Sequence, residues 1–200
     1  HAISTDYDLD GSKGIRDPKG MYGNKLQVQL HLVSVSHGPF RNLLTSISRC
    51  DLELEAPVIS AYASGLACLV EDEKDLGVTL IDMGCGCTGL ATFANGELIW
   101  TSSIPIGGFH VTNDIAQGLT TPISSAEHMK RLYASVISGP TDNREMIEVP
   151  ELGESESLSG RQIPRSLLTG IVRPRIEEIF ELVRDYIESS GIASSIARRI

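Results

Sequence analysis

The amino-acid sequence predicts an α/β fold for this chain of 200 residues, and three patterns lead to that prediction. The first is a series of three apolar segments with strand character: "GVTLID", "TGLATFA" and "ELIWTSSI". The second is Asn95-Gly96, which joins two of these segments and is a strong signal for a tight hairpin. The third is a helical stripe of apolar residues near the end of the sequence: Ile176, Ile179, Phe180, Val183 and Ile187.

Composition and charge exclude several classes of protein. Charged residues make up 22% and hydrophobic residues 41% of the chain, which is typical of an ordinary globular domain. The formal net charge of −9 argues against a nucleic-acid-binding protein, because proteins of that class present a basic face. No apolar run approaches the roughly 18 to 20 residues that span a bilayer. The four cysteines are few and unevenly spaced, which fits a reducing compartment better than a disulfide framework.

The first third of the chain predicts a strand followed by two helices. In "KLQVQLHLVSVS" the alternation predicts a strand whose buried face is formed by Leu26, Val28, Leu30 and Leu32. Pro39 marks the start of a helix that ends near Cys50. The segment "APVISAYASGLACLVEDEKDLG" begins with a proline in a first helical turn and ends in an acidic turn. Its small residues predict close helix contact through Ala61, Ala63, Gly65 and Ala67.

Helices dominate the prediction for the second half of the chain. We expect one helix from about His110 to Leu119 and another over "SAEHMKRLYASVI", capped by Ser124 or Ser125. Residues 139–163 are rich in Pro, Gly, Ser and Glu, and contain one short strand, "EMIEVP", and a surface loop, "ELGESESLSG". Pro174 is expected to kink the last helix or to mark a restart.

The segment "DMGCGCTG" combines residues that suit the binding of a phosphate and a metal ion. Glycines at Gly84 and Gly86 leave room for an anion beside the backbone, and successive turn N–H groups can point at phosphate oxygens. The hydroxyl of Thr88 adds a neutral hydrogen bond. Asp82 ends an apolar strand, where it would hold Mg²⁺ through water rather than touch the phosphate. The alternative for this segment alone is a plain glycine-rich turn between two strands.

A second glycine turn and a helical pair strengthen the interpretation as a nucleotide site. Gly107-Gly108 lies between the third strand and a helix, and can approach a phosphate with a helix N-terminus behind it. Glu127 and Lys130 are three residues apart, so they share one face of a helix. Such a pair can hydrogen-bond ribose hydroxyls and flank an adenine. Alone, the pair is typical of a solvated helix face, and only the order of the motifs makes it informative.

These segments resemble the actin-like nucleotide-binding superfamily and, within it, the FtsA family of bacterial cell division proteins. The resemblance rests on "GIRDPKGMYG" followed by "LQVQLHLVS", then "DMGCGCTG", "GGFHVTNDIAQGL", "TPISSAEHMKRLYAS" and "PRIEEIFELVRDYI". It covers nearly the whole chain, and the first segment is not shared with actin or the related chaperones. The resemblance implies an actin-like (ribonuclease H-like) α/β fold, incomplete here, with part of the subdomain that is inserted in the FtsA family.

The same resemblance divides the chain into four parts. Residues 1–50 correspond to part of the inserted, SHS2-like subdomain, and residues 51–75 to a connecting helix of the first actin-like half. Residues 76–120 correspond to the second nucleotide-binding subdomain. Residues 121–200 correspond to an outer subdomain with partner-binding helices.

The resemblance also implies cofactors and partners. FtsA-like proteins bind ATP with Mg²⁺, form filaments by self-association, and tether the tubulin-like protein FtsZ to the cytoplasmic face of the inner membrane at the division septum. The C-terminal tail of FtsZ docks on the outer subdomain, where Arg175 suits acidic groups of a peptide. A plain exposed charge is the alternative for Arg175. Other division proteins are expected to bind through the inserted subdomain.

Departures from the family pattern limit these expectations. The chain lacks an initiator Met, so we expect an internal fragment whose first phosphate loop lies upstream and whose adenine-side glycine pair lies downstream. Membrane contact is expected only through a tail outside this chain. Ala56 stands where actin has a glutamine that orients the attacking water, so ATP hydrolysis should be slow at most. Cys85 and Cys87 replace a glycine and a threonine that are common in relatives.

Two alternative functions stay open from the sequence. Cys85 and Cys87 could form a thiol or metal module with help from His110, although two cysteines make only half of a zinc site. A small-molecule kinase or a chaperone-type ATPase of the same superfamily is the other alternative. A kinase would need a carboxylate base that faces a substrate pocket, and the sequence offers no clear candidate.

Overall fold

The computed structural model describes residues 2–15, 17–151 and 161–192, and these contain eight strands and six helices. The strands are β1 (Ala2–Leu9), β2 (Ser12–Ile15), β3 (Leu26–Leu32), β4 (Val78–Met83), β5 (Thr88–Ala94), β6 (Glu97–Ile104), β7 (Met146–Val149) and β8 (Arg161–Pro164). The helices are α1 (His37–Ser48), α2 (Ser60–Cys68), α3 (Glu71–Leu76), α4 (Gly108–Leu119), α5 (Ile123–Tyr133) and α6 (Arg165–Ser189).

The chain forms two compact units, each of which has its own core. Of the described residues, the first unit comprises 2–15, 17–82, 90–102 and 192, and the second comprises 83–89, 103–151 and 161–191. Strands β4, β5 and β6 pair in that order and contribute residues to both units. They confirm the three predicted strands. Asn95 and Gly96 have φ values of 54° and 84°, which confirms the predicted hairpin because its tight turn requires positive φ at both positions.

The first sheet, in the order β2-β1-β3, confirms the predicted strand but not its buried face. The four leucine and valine side chains of β3 that were expected inside are 42–71% exposed: Leu26, Val28, Leu30 and Leu32. Alternation determines which side chains share a face, but it does not determine whether another layer covers that face. The buried face was therefore wrong, although the strand was right.

The core of the first unit forms where α2 packs on the central strands. Ala61 and Gly65 are buried, and a side chain at Gly65 would lie 2.5 Å from the ring of Phe93. Ala63 and Ala67 are exposed, so only half of the predicted small-residue contact exists. The helix begins at Ser60 rather than at the preceding proline, and the segment expected as an acidic turn is the short helix α3.

The second unit packs α4, α5 and α6 against the antiparallel pair of β7 and β8. Its buried core consists of Val111, Ile115, Leu119, Ala126, Met129, Ile147, Val149, Ile163, Leu168 and Val172. The helix from about His110 and the strand in "EMIEVP" are confirmed as α4 and β7. The predicted caps were wrong, because Ser124 and Ser125 lie inside α5 and Pro122 occupies the capping position without a side-chain hydrogen bond.

The last part of the chain differs from expectation in two further ways. Strand β8 was not predicted, since four residues offer too little alternation to detect. Helix α6 runs through Pro174 as one element, so the proline does not restart it. Residues 152–160, which carry most of the predicted surface loop, lie outside the described residues. Within the described residues, no helix combines the length and the apolar character that crossing a bilayer requires.

Candidate functional site

A tight turn of four exposed residues, Gly84–Cys87, connects β4 to β5 and is called the glycine turn below. The N–H of Gly84 donates to the carbonyl of Cys87 at 3.0 Å and closes the turn. Among the described residues, none accepts a hydrogen bond from the amides of Cys85, Gly86 or Cys87. Three consecutive N–H groups of an exposed turn are therefore unbonded among the described residues and could donate to an anion.

The second glycine turn packs directly on the first. The N–H of Gly108 donates to the carbonyl of Gly84 at 2.9 Å, and that of Phe109 donates to Cys85 at 2.8 Å. A Cβ added at Gly107 would lie 2.5 Å from the carbonyl oxygen of Gly84, so no side chain fits there. The structure thus brings together the two glycine motifs that the sequence singled out.

This contact changes the role of the α4 N-terminus. The amides of Gly108 and Phe109 already bond the glycine turn, and that of Gly107 donates to the imidazole Nδ1 of His110 at 3.1 Å. The amide of His110 donates to the carbonyl of Gly107. Because these first-turn donors are bonded within the protein, the helix start supports the glycine turn instead of offering its own N–H groups.

Thr88 also joins the two turns. Its side chain is fully buried, and its hydroxyl donates to the carbonyl of Ile106 at 2.7 Å. The hydroxyl proton that the sequence analysis assigned to a phosphate is thus bonded to the backbone next to Gly107. In this arrangement Thr88 holds the start of β5 against the second turn.

Glu127 and Lys130 lie together on α5 and reach the first turn of α4. The ammonium of Lys130 is 2.7 Å from the carboxylate of Glu127 and donates to the carbonyl of Gly108 at 3.0 Å. Lys130 also donates to the hydroxyl of Thr112 at 2.8 Å, and that hydroxyl donates to Glu127 at 2.6 Å. Hydrogen bonds from Lys130 and Thr112 lower the pKa of Glu127, so the carboxylate is ionised. Sequence reasoning missed Thr112, whose position one turn after Gly108 was the available signal.

Asp82 lies near the end of β4, two residues before Gly84, and belongs to the first unit. Its carboxylate is partly exposed and accepts a hydrogen bond from the hydroxyl of Ser64 at 3.1 Å. Sequence reasoning did not single out Ser64, which lies on α2, 18 positions before Asp82 in the sequence. A partly exposed carboxylate is the hard oxygen donor that Mg²⁺ prefers, so the residue fits a water-bridged magnesium ion.

Arg175 is not a free cation. Its guanidinium makes two hydrogen bonds to the carboxylate of Asp114 on α4, at 2.6 and 3.0 Å, and a third to Glu178. These partners raise the pKa of Arg175 further, and only 26% of its side chain is exposed. In this structure, Arg175 ties α6 to α4.

An open groove of about 850 Å³ lies beside α6 in the second unit. Its apolar lining consists of Val136, Ile137, Ile176 and Phe180. Arg173 and Arg184 line it as well, together with two glutamates of the same helix. Ile137 is 78% exposed, and Phe180 is 49% exposed, so the apolar surface faces solvent.

The two cysteines of the glycine turn do not form a metal centre with other side chains in the described ranges. Cys85 and Cys87 are both exposed free thiols. Within those ranges, no group of three or more His, Cys, Asp or Glu side chains converges to hold a metal ion. His110 instead accepts a hydrogen bond from the amide of Gly107.

Comparison with solved structures defines the class of protein. MreB5 of Spiroplasma citri bound to ADP matches with a TM-score of 0.61 at 16% identity, over 94% of this chain and 70% of that one. The PilM-PilN type IV pilus biogenesis complex contains a match with a TM-score of 0.61 at 16% identity, over 88% of this chain and 43% of that one. The chain has an incomplete actin-like α/β fold.

Comparison with protein families then defines the particular family. The model described as cell division protein FtsA matches residues 79–197, and the SHS2 domain inserted in FtsA matches residues 1–34. The chain therefore belongs to the FtsA family of cell division proteins. The FtsA proteins of Agrobacterium fabrum and Pseudomonas aeruginosa are 46% and 38% identical over 100% and 96% of the chain. The FtsA of Escherichia coli K12 is 32% identical over 94%. The chain spans less than half of these relatives' length, at 44–45%.

Proposed function

We propose that this chain is part of an actin-like protein that binds ATP with Mg²⁺, assembles into filaments, and anchors the FtsZ ring during septum formation. The protein would act at the cytoplasmic face of the inner membrane, with membrane contact through a segment outside this chain. Family membership supports the role in cell division. We keep the proposed division into residues 1–50, 51–75, 76–120 and 121–200, the first of which overlaps the matched SHS2 segment.

The observation that carries the nucleotide proposal is the pair of interlocked glycine turns. The glycine turn presents three open amides, and the backbone hydrogen bonds that Gly108 and Phe109 of α4 donate to it hold it in place. A rigid row of N–H groups binds a phosphate without the entropy cost of ordering a loop. The nucleotide-bound state of MreB5, which shares the fold, is consistent with such a site.

The other predicted residues have separate proposed roles. The carboxylate of Glu127 is 44% exposed and ionised, so it can accept hydrogen bonds from ribose hydroxyls. Lys130 positions that carboxylate and the carbonyl of Gly108. Bound Mg²⁺ would neutralise phosphate charge, and Asp82 would hold it through water. Ala56 cannot orient a water molecule, so we propose slow hydrolysis at most.

A substitution of Asp82 tests the nucleotide proposal in the complete natural protein. Wild-type protein should bind ATP more tightly with Mg²⁺ than with a chelator, and Asp82→Asn should lose most of that difference. Asp72→Asn, which removes an exposed carboxylate of α3, is the matched control and should keep it. A protein that binds no ATP at millimolar concentration contradicts the proposed function. An unchanged magnesium effect in Asp82→Asn removes only this residue from the site.

The groove beside α6 is the proposed docking surface for the FtsZ tail. An apolar groove suits a short peptide with apolar anchors. Of its two exposed arginines, Arg173 is 2.7 Å from the carboxylate of Glu177. Arg184 makes only a longer contact of 3.5 Å with Asp185, so it is the better partner for an acidic group of the peptide.

Arg175 was the residue predicted from sequence, but its charge is already paired with Asp114. We therefore expect Arg175→Glu to weaken peptide binding mainly by disturbing the contact of α6 with α4. An affinity and an unfolding temperature that both stay at the wild-type value would remove Arg175 from the partner site.

A further inference from the structure

The side chains of Cys85 and Cys87 have no part in the proposed function, yet both thiols lie exposed in the turn that carries it. Gly86 separates them, and no described atom outside residues 85–87 lies within 4 Å of a Cβ built at that position. The space into which a side chain at Gly86 would project is therefore open. A reagent that is small enough to reach a phosphate site can reach both sulfur atoms.

We propose that Cys85 and Cys87 are a thiol modification site at which a low-molecular-weight disulfide, such as glutathione disulfide, closes the nucleotide site. This inference rests on the proposed function, because it assigns regulation to the same turn. It concerns the two side chains, whereas nucleotide binding concerns the backbone N–H groups of the same residues.

The short length of the turn makes an adduct incompatible with a bound phosphate. The glycine turn closes through the hydrogen bond from Gly84 to Cys87 and is held by the bonds from Gly108 and Phe109. These bonds oppose a rearrangement of the turn that would separate an adduct from the open amides. An adduct on either sulfur starts one residue or less from the open amides. A glutathione adduct also carries net negative charge, which repels a nucleotide's phosphates at this distance.

The chemistry is an ordinary thiol–disulfide exchange. The thiolate of Cys85 or Cys87 attacks one sulfur of glutathione disulfide, and the bond between the two glutathione sulfurs breaks. A new disulfide joins the protein to one glutathione, and the other leaves as a thiolate that takes up the proton released by the cysteine. Excess thiol runs the same exchange backwards, so the block is reversible.

The other two cysteines provide internal controls. Cys50 and Cys68 are also exposed free thiols, and they lie outside the glycine turn. An adduct on either of them adds the same mass and charge at a position that is not next to the open amides. Any effect of charge or bulk in general would therefore appear at all four positions, whereas the proposed effect belongs to two.

The first experiment measures protection of the thiols in the complete natural protein. Iodoacetamide labelling is followed by mass spectrometry with and without saturating ATP and Mg²⁺. Labelling of Cys85 and Cys87 should slow by about tenfold or more, because the bound phosphate covers the turn. Labelling of Cys50 and Cys68 should not change. Equal rates at Cys85 and Cys87 with and without bound nucleotide overturn the inference.

The second experiment measures ATP affinity before and after treatment with glutathione disulfide. Treatment should weaken binding by the wild type about tenfold or more, and dithiothreitol should restore it. A Cys85→Ser/Cys87→Ser variant should have the same affinity for ATP before and after treatment with glutathione disulfide. A Cys50→Ser/Cys68→Ser variant should lose affinity on treatment, as the wild type does. A glutathionylated wild type that binds ATP like the reduced protein overturns the inference and leaves the proposed function standing. Reduced wild type that binds no ATP overturns both.

Discussion

Replacing Gly107 with alanine should separate the two glycine turns. The new Cβ would lie 2.5 Å from the carbonyl oxygen of Gly84 and 2.7 Å from that of Cys85. Both neighbours are backbone atoms, which cannot rotate away as a side chain would. The turns must therefore move apart, and the hydrogen bonds donated by Gly108 and Phe109 lengthen or break.

The size of the effect follows from those two hydrogen bonds at Gly108 and Phe109. A backbone hydrogen bond contributes roughly 1 kcal/mol to stability, so losing both costs about 2 kcal/mol. Keeping both bonds would instead leave a strained contact, and overpacking of this kind costs about 1 to 3 kcal/mol. Both routes lower the local free energy of opening at the turn by about 2 kcal/mol.

Hydrogen exchange reads this change at the affected amides. In the complete protein, exchange of the Phe109 amide should become about 25-fold faster in Gly107→Ala, since every 1.4 kcal/mol corresponds to a factor of ten. Gly108→Ala is the matched control, because its Cβ would lie 3.6 Å from the ammonium of Lys130 and 3.7 Å from Gly84, which is ordinary contact. The control should change exchange by less than about threefold. Equal exchange rates in the two variants would refute the reasoning from the 2.5 Å contact.

Three further substitutions test the electrostatics and the open surfaces. Glu127→Gln should lower the unfolding temperature at pH 7, and the difference from wild type should shrink as the pH falls from 4.5 through the lowered folded-state pKa of Glu127. The folded-state pKa of Glu127 lies below its ordinary value of 4.5, so its stabilisation is present above that value and is lost as the carboxylate protonates. Gly86→Ala should leave the unfolding temperature unchanged, because outside residues 85–87 its methyl group meets no described protein atom within 4 Å. It should weaken ATP binding about tenfold, because the methyl group occupies space next to the amides proposed to bind the phosphate. Arg184→Glu, at a side chain 64% exposed, should weaken binding of the FtsZ tail peptide about threefold.

Each of these predictions has its own contradicting result, and the last two also have a matched control variant. A constant difference between Glu127→Gln and wild type from pH 7 to pH 3 would exclude the carboxylate's charge as the cause. Gly170→Ala also meets no atom within 4 Å but lies on α6, so it should keep the wild-type affinity for ATP. Gly86→Ala with that same affinity would remove the glycine turn from the site. Arg144→Glu reverses an exposed charge outside the groove, and an equal loss in this variant and in Arg184→Glu would point to net charge instead of the groove.

The sequence correctly predicted those elements whose formation depends on neighbouring residues in the chain. The hairpin at Asn95-Gly96 follows from two positive φ angles that few residues adopt, and the three strands around it follow from short segments rich in apolar and β-branched residues. The start of α4 was predicted within two residues, because a glycine pair and an apolar stripe mark it. These predictions needed no knowledge of which segment lies next to which.

Sequence reasoning failed where a distant residue decides the outcome. The ring of Thr112, Glu127 and Lys130 joins two helices across 15 and 18 positions, and only the fold shows that a threonine completes it. Arg175 looked like a cation for an acidic peptide, but its charge is matched by Asp114, 61 positions earlier in the chain. No local pattern distinguishes a paired arginine from a free one.

The hydrogen bonds of the amides at the α4 N-terminus change the role that the sequence predicted for Gly107-Gly108. A helix start has unpaired amides, so the sequence pattern assigned Gly107-Gly108 to a phosphate. In the structure the amides of Gly108 and Phe109 donate to the glycine turn, and a donor that serves one acceptor well is not open to another. The open N–H groups are those of residues 85–87 instead. Gly107 is thus a glycine because a backbone oxygen lies 2.5 Å from where its Cβ would be, and its contribution to anion binding is to let the two turns touch.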